Sequence, residues 1–244
     1  MFASRESRRG AAGLVDVAFT DRHGGSSPPP FESLDLGARG PDRSAERQAN
    51  FDLLARELGV RTIATMRQAH TASVAVVTSA TSEPATCDAL VTRERGVALC
   101  VRVADCVPLV LADTGAGVVA VAHAGRVGVA TGIVAATLEA MRELGGHVVE
   151  AWVGPYVCGS CYEVPASMRA DVASSAPAAF ACTTWGTPSL DLGAAATAQL
   201  LAAGCTVNDR SRCTRESADL YSYRRDGASS GRSAGVVVLR ERDG

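Results

Sequence analysis

Gly96-Val-Ala-Leu-Cys-Val-Arg-Val103, Val107-Pro-Leu-Val-Leu111 and Val118-Val-Ala-Val-Ala122 are three closely spaced apolar runs rich in β-prone residues. Polar residues barely alternate with apolar ones in any of them. Each therefore predicts a strand covered on both faces, not one with a wet side. Val74 to Val77, Val148 to Val153 and Gly235 to Leu239 read the same way, which makes a sheet-rich core. Helices fill the gaps. Ser44 can cap one, with Glu46 in its first turn and Phe51, Leu54 and Leu58 on one face before Gly59 ends it. Thr131 to Leu144 places Ile133, Thr137, Leu138, Met141 and Leu144 on one face and stops at Gly145-Gly146, and Ala194 to Ala203 is a further helix. The stretch His23-Gly-Gly-Ser-Ser-Pro-Pro-Pro reads as a covering loop between a short apolar start and the first helix. The pattern is that of an α/β (mixed α+β) protein with mixed sheets packed against helices, one domain over residues 1–244.

Composition narrows the function. With 244 residues and 47% hydrophobic content the chain can bury a substantial core. A net charge of -2 with scattered Lys and Arg is not the signature of a nucleic-acid binder, so the expected partner is a small molecule. Neither an export signal nor a membrane-length apolar run is present, which points to a cytoplasmic protein off the membrane. In that setting the eight cysteines read as reduced thiols rather than a disulfide framework.

Three residues beside the strand runs carry the chemistry: His70 in Arg67-Gln-Ala-His, Cys106 in Ala104-Asp-Cys-Val-Pro and His123 in Ala122-His-Ala-Gly. Rigid strands can bring them together as an N/S/N set with a fourth position open, the geometry of catalytic zinc. The same residues suit a cysteine hydrolase, with Cys106 as nucleophile and His123 or His70 as base. After His123 the order strand, small-residue turn, helix (Ala124-Gly-Arg126-Val-Gly128) suits an anion site. Pro155-x-x-Cys158-x-x-Cys161 resembles half of the zinc nucleobase-deaminase signature. No His-x-Glu precedes it and no second Cys pair accompanies it, so these read as core or turn cysteines. His23 and His147 read as surface residues, although the loop of His23 could bring it near the site.

The motifs Phe19-Thr-Asp-Arg-His-Gly-Gly-Ser, Ser33-Leu-Asp-Leu-Gly, Gln68-Ala-His70, Asp88-Ala-Leu-Val-Thr, Ala104-Asp-Cys106-Val-Pro, Ala122-His123-Ala-Gly, Gly154-Pro155, Cys161-Tyr-Glu-Val and Tyr221-Ser-Tyr-Arg-Arg-Asp span nearly the whole chain. Together they resemble the multicopper polyphenol oxidase (laccase-domain) family, whose members are also described as purine nucleoside phosphorylases with adenosine deaminase activity. The resemblance implies two mixed sheets packed together and flanked by helices, with His70, Cys106 and His123 as metal-binding and catalytic residues. It implies phosphorolysis of adenosine, inosine, guanosine or methylthioadenosine, with purine nucleoside and phosphate as ligands. The chain departs from the family where Arg126-Val-Gly128 replaces Trp-Arg-Gly, where Asn50-Phe51 replaces an Asn-Arg pair that Arg47 could restore, where Thr71 replaces a glycine, and where Ser230-Gly-Arg232-Ser-Ala replaces Thr-Gly-Arg-Gln-Ala.

One blue-copper site plus a trinuclear cluster needs far more imidazoles than the four His present, so zinc is the expected metal, with a single copper as the alternative. Zinc would activate water for deamination, and Asp105, next to Cys106, is the candidate acid/base, or else a cap of its own turn. Arg225 and Arg232 are candidates for phosphate, Tyr223 for stacking on or donating to the base, and Gln68 and Arg126 for further substrate contacts. Copper-dependent phenol oxidation and Cys/His hydrolysis in peptidoglycan-precursor quality control are the alternatives.

Overall fold

Strands covered on both faces require four layers, and the computed structural model, which describes residues 1–37, 44–78 and 83–241, has them. The first sheet runs in the order β1 (Phe2–Gly10), β2 (Gly13–Thr20), β13 (Ser233–Leu239), β6 (Val97–Val103), β3 (Thr62–Ala64). The second runs β12 (Thr206–Asp209), β9 (Glu150–Val153), β7 (Val107–Asp113), β8 (Val118–Ala124), β5 (Ala89–Thr92), β4 (Val74–Val76). Both are mixed. β3 lies parallel to β6, β4 to β5 and β12 to β9, while the central pairs are antiparallel.

The side-chain period of two explains the weak alternation. On β7, Val107, Leu109 and Leu111 face the helices, whereas Val110 and Ala112 face the first sheet, where they meet Leu99 and Val101 of β6 and Val237 of β13. The opposite face of β6, Ala98 and Cys100, packs under Leu54 and Leu58 of α1 (Ser44–Leu58). The outer face of the second sheet is covered by α3 (Ile133–Glu143), α4 (Ala166–Ser175) and α5 (Leu192–Ala202). Every residue of β7 and β8 is consequently buried. No helix among the described residues is long and apolar enough to cross a membrane.

Several boundaries differ from expectation. The helix read over Thr131 to Leu144 is preceded by a separate α2 (Arg126–Thr131), because Gly132 adopts φ 93° and breaks the run. The strand read from Val148 begins at Glu150, and the helix read from Ala194 begins at Leu192, capped by Asp191, whose side chain accepts from the Ala194 amide at 2.8 Å. β1 was not legible: its run Phe2–Gly10 is polar because it is an edge strand with one face in solvent. A short hairpin, β10 (Phe180–Cys182) with β11 (Pro188–Leu190), is also additional.

The step from β6 to β7 positions the site. There the chain leaves the first sheet and enters the second through Ala104, Asp105 and Cys106, and Asp105 makes the bend with φ 82°.

Candidate metal centre and cavity

Cys106 sits immediately before β7 and His123 lies in β8 opposite Pro108, so antiparallel pairing fixes their separation. His70 arrives on the loop between β3 and β4 with φ 57°, a left-handed backbone that a non-glycine residue holds only when its surroundings impose it. Asp88 imposes it. The carboxylate accepts from the amides of Ala69 at 3.1 Å, His70 at 3.0 Å and Thr71 at 2.7 Å, and from the Thr71 hydroxyl at 2.9 Å. It also lies 2.8 Å from His123 Nδ1, and the Asp88 carbonyl accepts from the His123 amide. These hydrogen bonds outweigh burial and hold the Asp88 carboxyl well below the usual carboxylate range.

With Nδ1 held by Asp88, His123 presents Nε2, the carboxylate–histidine arrangement that orients metal-ligating imidazoles. The ligand atoms of His70, Cys106 and His123 lie within 4.8 Å of one another, and the two imidazole rings stand edge to face at 71°. Burial opposes a charge on His123. Hydrogen bonds to Asp88 and Cys106, and the charges of both, prevail and push its pKa up to about 9. Loss of water around His70, with the charges of His123 and Arg126, lowers that ring's pKa. The donor set fits a metal, and Gly125 shows why: a Cβ there would stand 2.8 Å from His70 Nδ1 and 3.3 Å from both Cys106 Sγ and His123 Cε1. Only a residue without a side chain lets three ligands converge on that point.

The triad opens into a cavity of about 910 Å³ lined also by Arg67, Gln68, Arg102, Asp105, Tyr162, Tyr223, Arg224 and Arg232. Among the described residues four arginines face it, and the one carboxylate, Asp105, already accepts from the Thr214 hydroxyl at 2.6 Å and the Arg224 amide at 2.5 Å. Asp105 thus ties the chain at residues 214–224 to the bend between β6 and β7 while also lining the cavity. The Gln68 amide pairs with the backbone of Arg102, donating to its carbonyl at 2.8 Å and accepting from its amide at 3.2 Å.

Arg225 requires a correction. Its guanidinium donates to the carbonyls of Thr214, Ser217 and Leu220 and pairs with Asp226, and the residue does not line the cavity. Its neighbour Arg224 does, with its guanidinium 5.0 Å from the centre of the Tyr162 ring. The tandem Arg-Arg was visible in the sequence, but which of the two faced inward was not. Arg232 lies 5.8 Å from the Tyr223 ring centre and donates to the carbonyls of Ser230 and Gly231. Arg126, at the start of α2, is not among the residues that line the cavity. Asn50 is buried and holds the Gly/Ser/Pro loop through Ser26, Ser27 and the Asp35 carbonyl, a role its place in the helix pattern does not signal. His23 and His147 are exposed and do not line the cavity.

A profile described as "Multi-copper polyphenol oxidoreductase laccase" matches residues 16–240. The chain belongs to this family. Within the laccase family it is 48% identical to a protein of Streptomyces coelicolor named purine nucleoside phosphorylase, over 98% of this chain and 100% of that one. It is 39% identical to an adenosine deaminase, RL5, from an unknown prokaryotic organism, over 60% of each chain. Among solved structures, a Neisseria meningitidis protein of the family superposes with a TM-score of 0.82 at 30% identity, covering 93% of this chain and 94% of that one. The two-sheet, helix-flanked architecture is therefore the laccase-family fold.

Proposed function

We propose that this chain is a zinc-dependent purine nucleoside phosphorylase that also deaminates adenosine. The observation that carries the reading is the pairing of an N/S/N donor set with a cavity wall of four arginines in which, among the described residues, the one carboxylate is already hydrogen-bonded by two donors. Such a wall suits phosphate, which planar guanidinium groups recognise through paired hydrogen bonds. The names of the relatives support the same substrates.

In phosphorolysis an oxygen of phosphate forms a bond to ribose C1′ as the C1′–N9 bond breaks, and the purine leaves with a proton. Arg224 and Arg232 hold the phosphate, with Arg67 and Arg102 supplying further positive charge. Tyr223 flanks the base. The Tyr162 hydroxyl stays protonated because burial and the nearby Cys106 raise its pKa, so it can donate a hydrogen bond inside the cavity. Zinc held by His70, Cys106 and His123 would supply Lewis-acid assistance for water addition at purine C6, where ammonia is the leaving group. Asp105 serves as the anchor that keeps the arginine-bearing segment over the metal loop. Copper can occupy the same donors, which suit it by affinity, and phenol oxidation is then a side reaction.

A second reading rests on one observation. Asp88 holds His123 Nδ1 at 2.8 Å, and the Cys106 sulfur lies within 4.8 Å of the same imidazole's ligand atom, the components of an orienter–base–nucleophile triad, which would make the protein a metal-free cysteine hydrolase. The two are separated by metal analysis of protein purified without added metal, with adenosine and phosphate turnover for wild type and Cys106→Ala. Loss of one zinc equivalent and of turnover in the variant supports the phosphorylase. Full activity in protein stripped of zinc overturns it.

A further inference from the structure

The pair Cys158-x-x-Cys161 faces a second pair of the same spacing, Cys213-x-x-Glu216, brought over from the C-terminal part of the chain. The premise that this Cys-x-x-Cys stands alone fails because its partner lies far away in sequence and ends in a carboxylate. Each pair sits on a tight turn. In the first, the amides of Cys161 and Tyr162 donate to the Cys158 carbonyl at 2.9 and 3.0 Å, and in the second the Ser217 amide donates to the Cys213 carbonyl at 3.0 Å. Tyr156 and Cys213 form a parallel β-bridge that sets the turns side by side. Three sulfurs and one carboxylate oxygen then lie within 4.8 Å of one another, with Cys161 buried, Cys158 and Cys213 half-buried and Glu216 at the surface.

We propose that Cys158, Cys161, Cys213 and Glu216 form a second, structural zinc site. The donor set argues for zinc: ligands in two turns of i, i+3 spacing are the arrangement by which proteins close a tetrahedral thiolate site, and three soft thiolates select zinc over hard cations. All eight cysteines are free thiols, so none of these sulfurs is committed to a disulfide. Four anionic donors around a dication leave net negative charge, which Arg215, between Thr214 and Glu216 and with its guanidinium 5.0 Å from the Trp185 ring centre, offsets. Unlike the triad at the cavity, this set supplies four ligands and leaves no position for substrate. Its task is mechanical. The first turn carries Val157 and Tyr162, which line the cavity, and the second flanks Thr214, the hydroxyl that holds Asp105. A zinc here cross-links the two loops that form the far wall of the cavity.

The test counts zinc in protein purified under reducing conditions without chelator. Wild type is expected to hold one equivalent more than Cys158→Ser, and Cys106→Ala is expected to keep the equivalent that Cys158→Ser loses. Cobalt refilling of Cys106→Ala is expected to give tetrahedral visible bands and strong thiolate-to-metal absorption from this site alone. Those bands should vanish in the Cys106→Ala/Cys158→Ser double variant. If Cys158→Ser does not fold, Glu216→Gln in the Cys106→Ala background keeps all three thiols and should shift the cobalt spectrum and release the metal faster to chelator. Absence of thiolate–cobalt absorption in Cys106→Ala, or a disulfide within this group in unreduced native protein, overturns the proposal. Cys106→Ala that keeps all wild-type zinc would instead overturn the metal assignment of the cavity triad while leaving this site intact.

Discussion

The floor and the far wall of the cavity are each organised by a buried aspartate, but in opposite ways. Asp88 gathers groups close to it in sequence or paired to it by sheet register: three amides and a hydroxyl from residues 69–71 and the ring of His123. Asp105 gathers groups more than a hundred positions away, Thr214 and the Arg224 amide. The floor inherits the rigidity of β7 and β8. The wall is loop, and its shape depends on anchors: Asp105, the Arg225 clamp and, on the proposal above, a zinc cross-link. The metal chemistry should accordingly be robust to changes in the wall, and substrate positioning should not.

The largest effect should follow loss of the floor's organiser. Asp88→Ala leaves several donors and the His123 ring unpartnered in a buried place, and should cost about 3–5 kcal/mol in urea unfolding and abolish metal retention at the triad. Retention of full zinc by this variant would break the distinction between floor and wall. Arg225→Ala should come next, at about 2–4 kcal/mol of stability, because it removes donors from several loop carbonyls. Arg224→Ala should leave unfolding nearly unchanged and raise KM for phosphate by about tenfold. An inverted pattern would restore Arg225 as the phosphate ligand.

Asp105→Asn should lower kcat/KM about 10- to 100-fold with zinc content unchanged, since a misplaced wall spoils orientation without touching the metal. A pH–rate profile decides its role: an anchor leaves the limbs where they were, whereas loss of a general acid would remove one.

The smallest effect concerns a third aspartate, remote from the cavity. Asp113 accepts from the amides of Gly115, Ala116, His147 and Val148. Burial alone would raise its pKa, but these hydrogen bonds prevail and lower it. Its contribution is therefore fully present above the unfolded carboxyl value and is lost as pH falls through the lower folded value. Asp113→Asn should cost about 1 kcal/mol near neutral pH and flatten the acid limb of stability, with turnover unchanged.

The same contrast explains what could be read from the sequence. The doubly buried strands β6, β7 and β8 and the ligands at their ends announce themselves through local composition, and the turn after His123 does so through its small residues. Asp88 was visible only inside a motif, because nothing local says that a carboxylate will wrap the backbone of a loop positioned before it. Arg224 and Arg225 differ only in which side of a four-residue helix, α6 (Tyr223–Asp226), meets the cavity, and that is decided by carbonyls at residues 214–220. The partner of Cys158-x-x-Cys161 was hidden because it ends in glutamate and is joined only by tertiary contact.

Strand β13 lies between β2 and β6, yet it follows every other described strand in the sequence. During synthesis all three triad ligands are therefore made well before the first sheet can close. The three candidate donors pass through a stage in which they are translated but not yet enclosed, before the inter-sheet core is complete. An ion captured at that stage meets a half-built cage. On the proposed function, the late strand closes the sheet over whatever ion these donors hold, so a substitution in β13 that slows its docking should alter metal loading without altering any of the three residues.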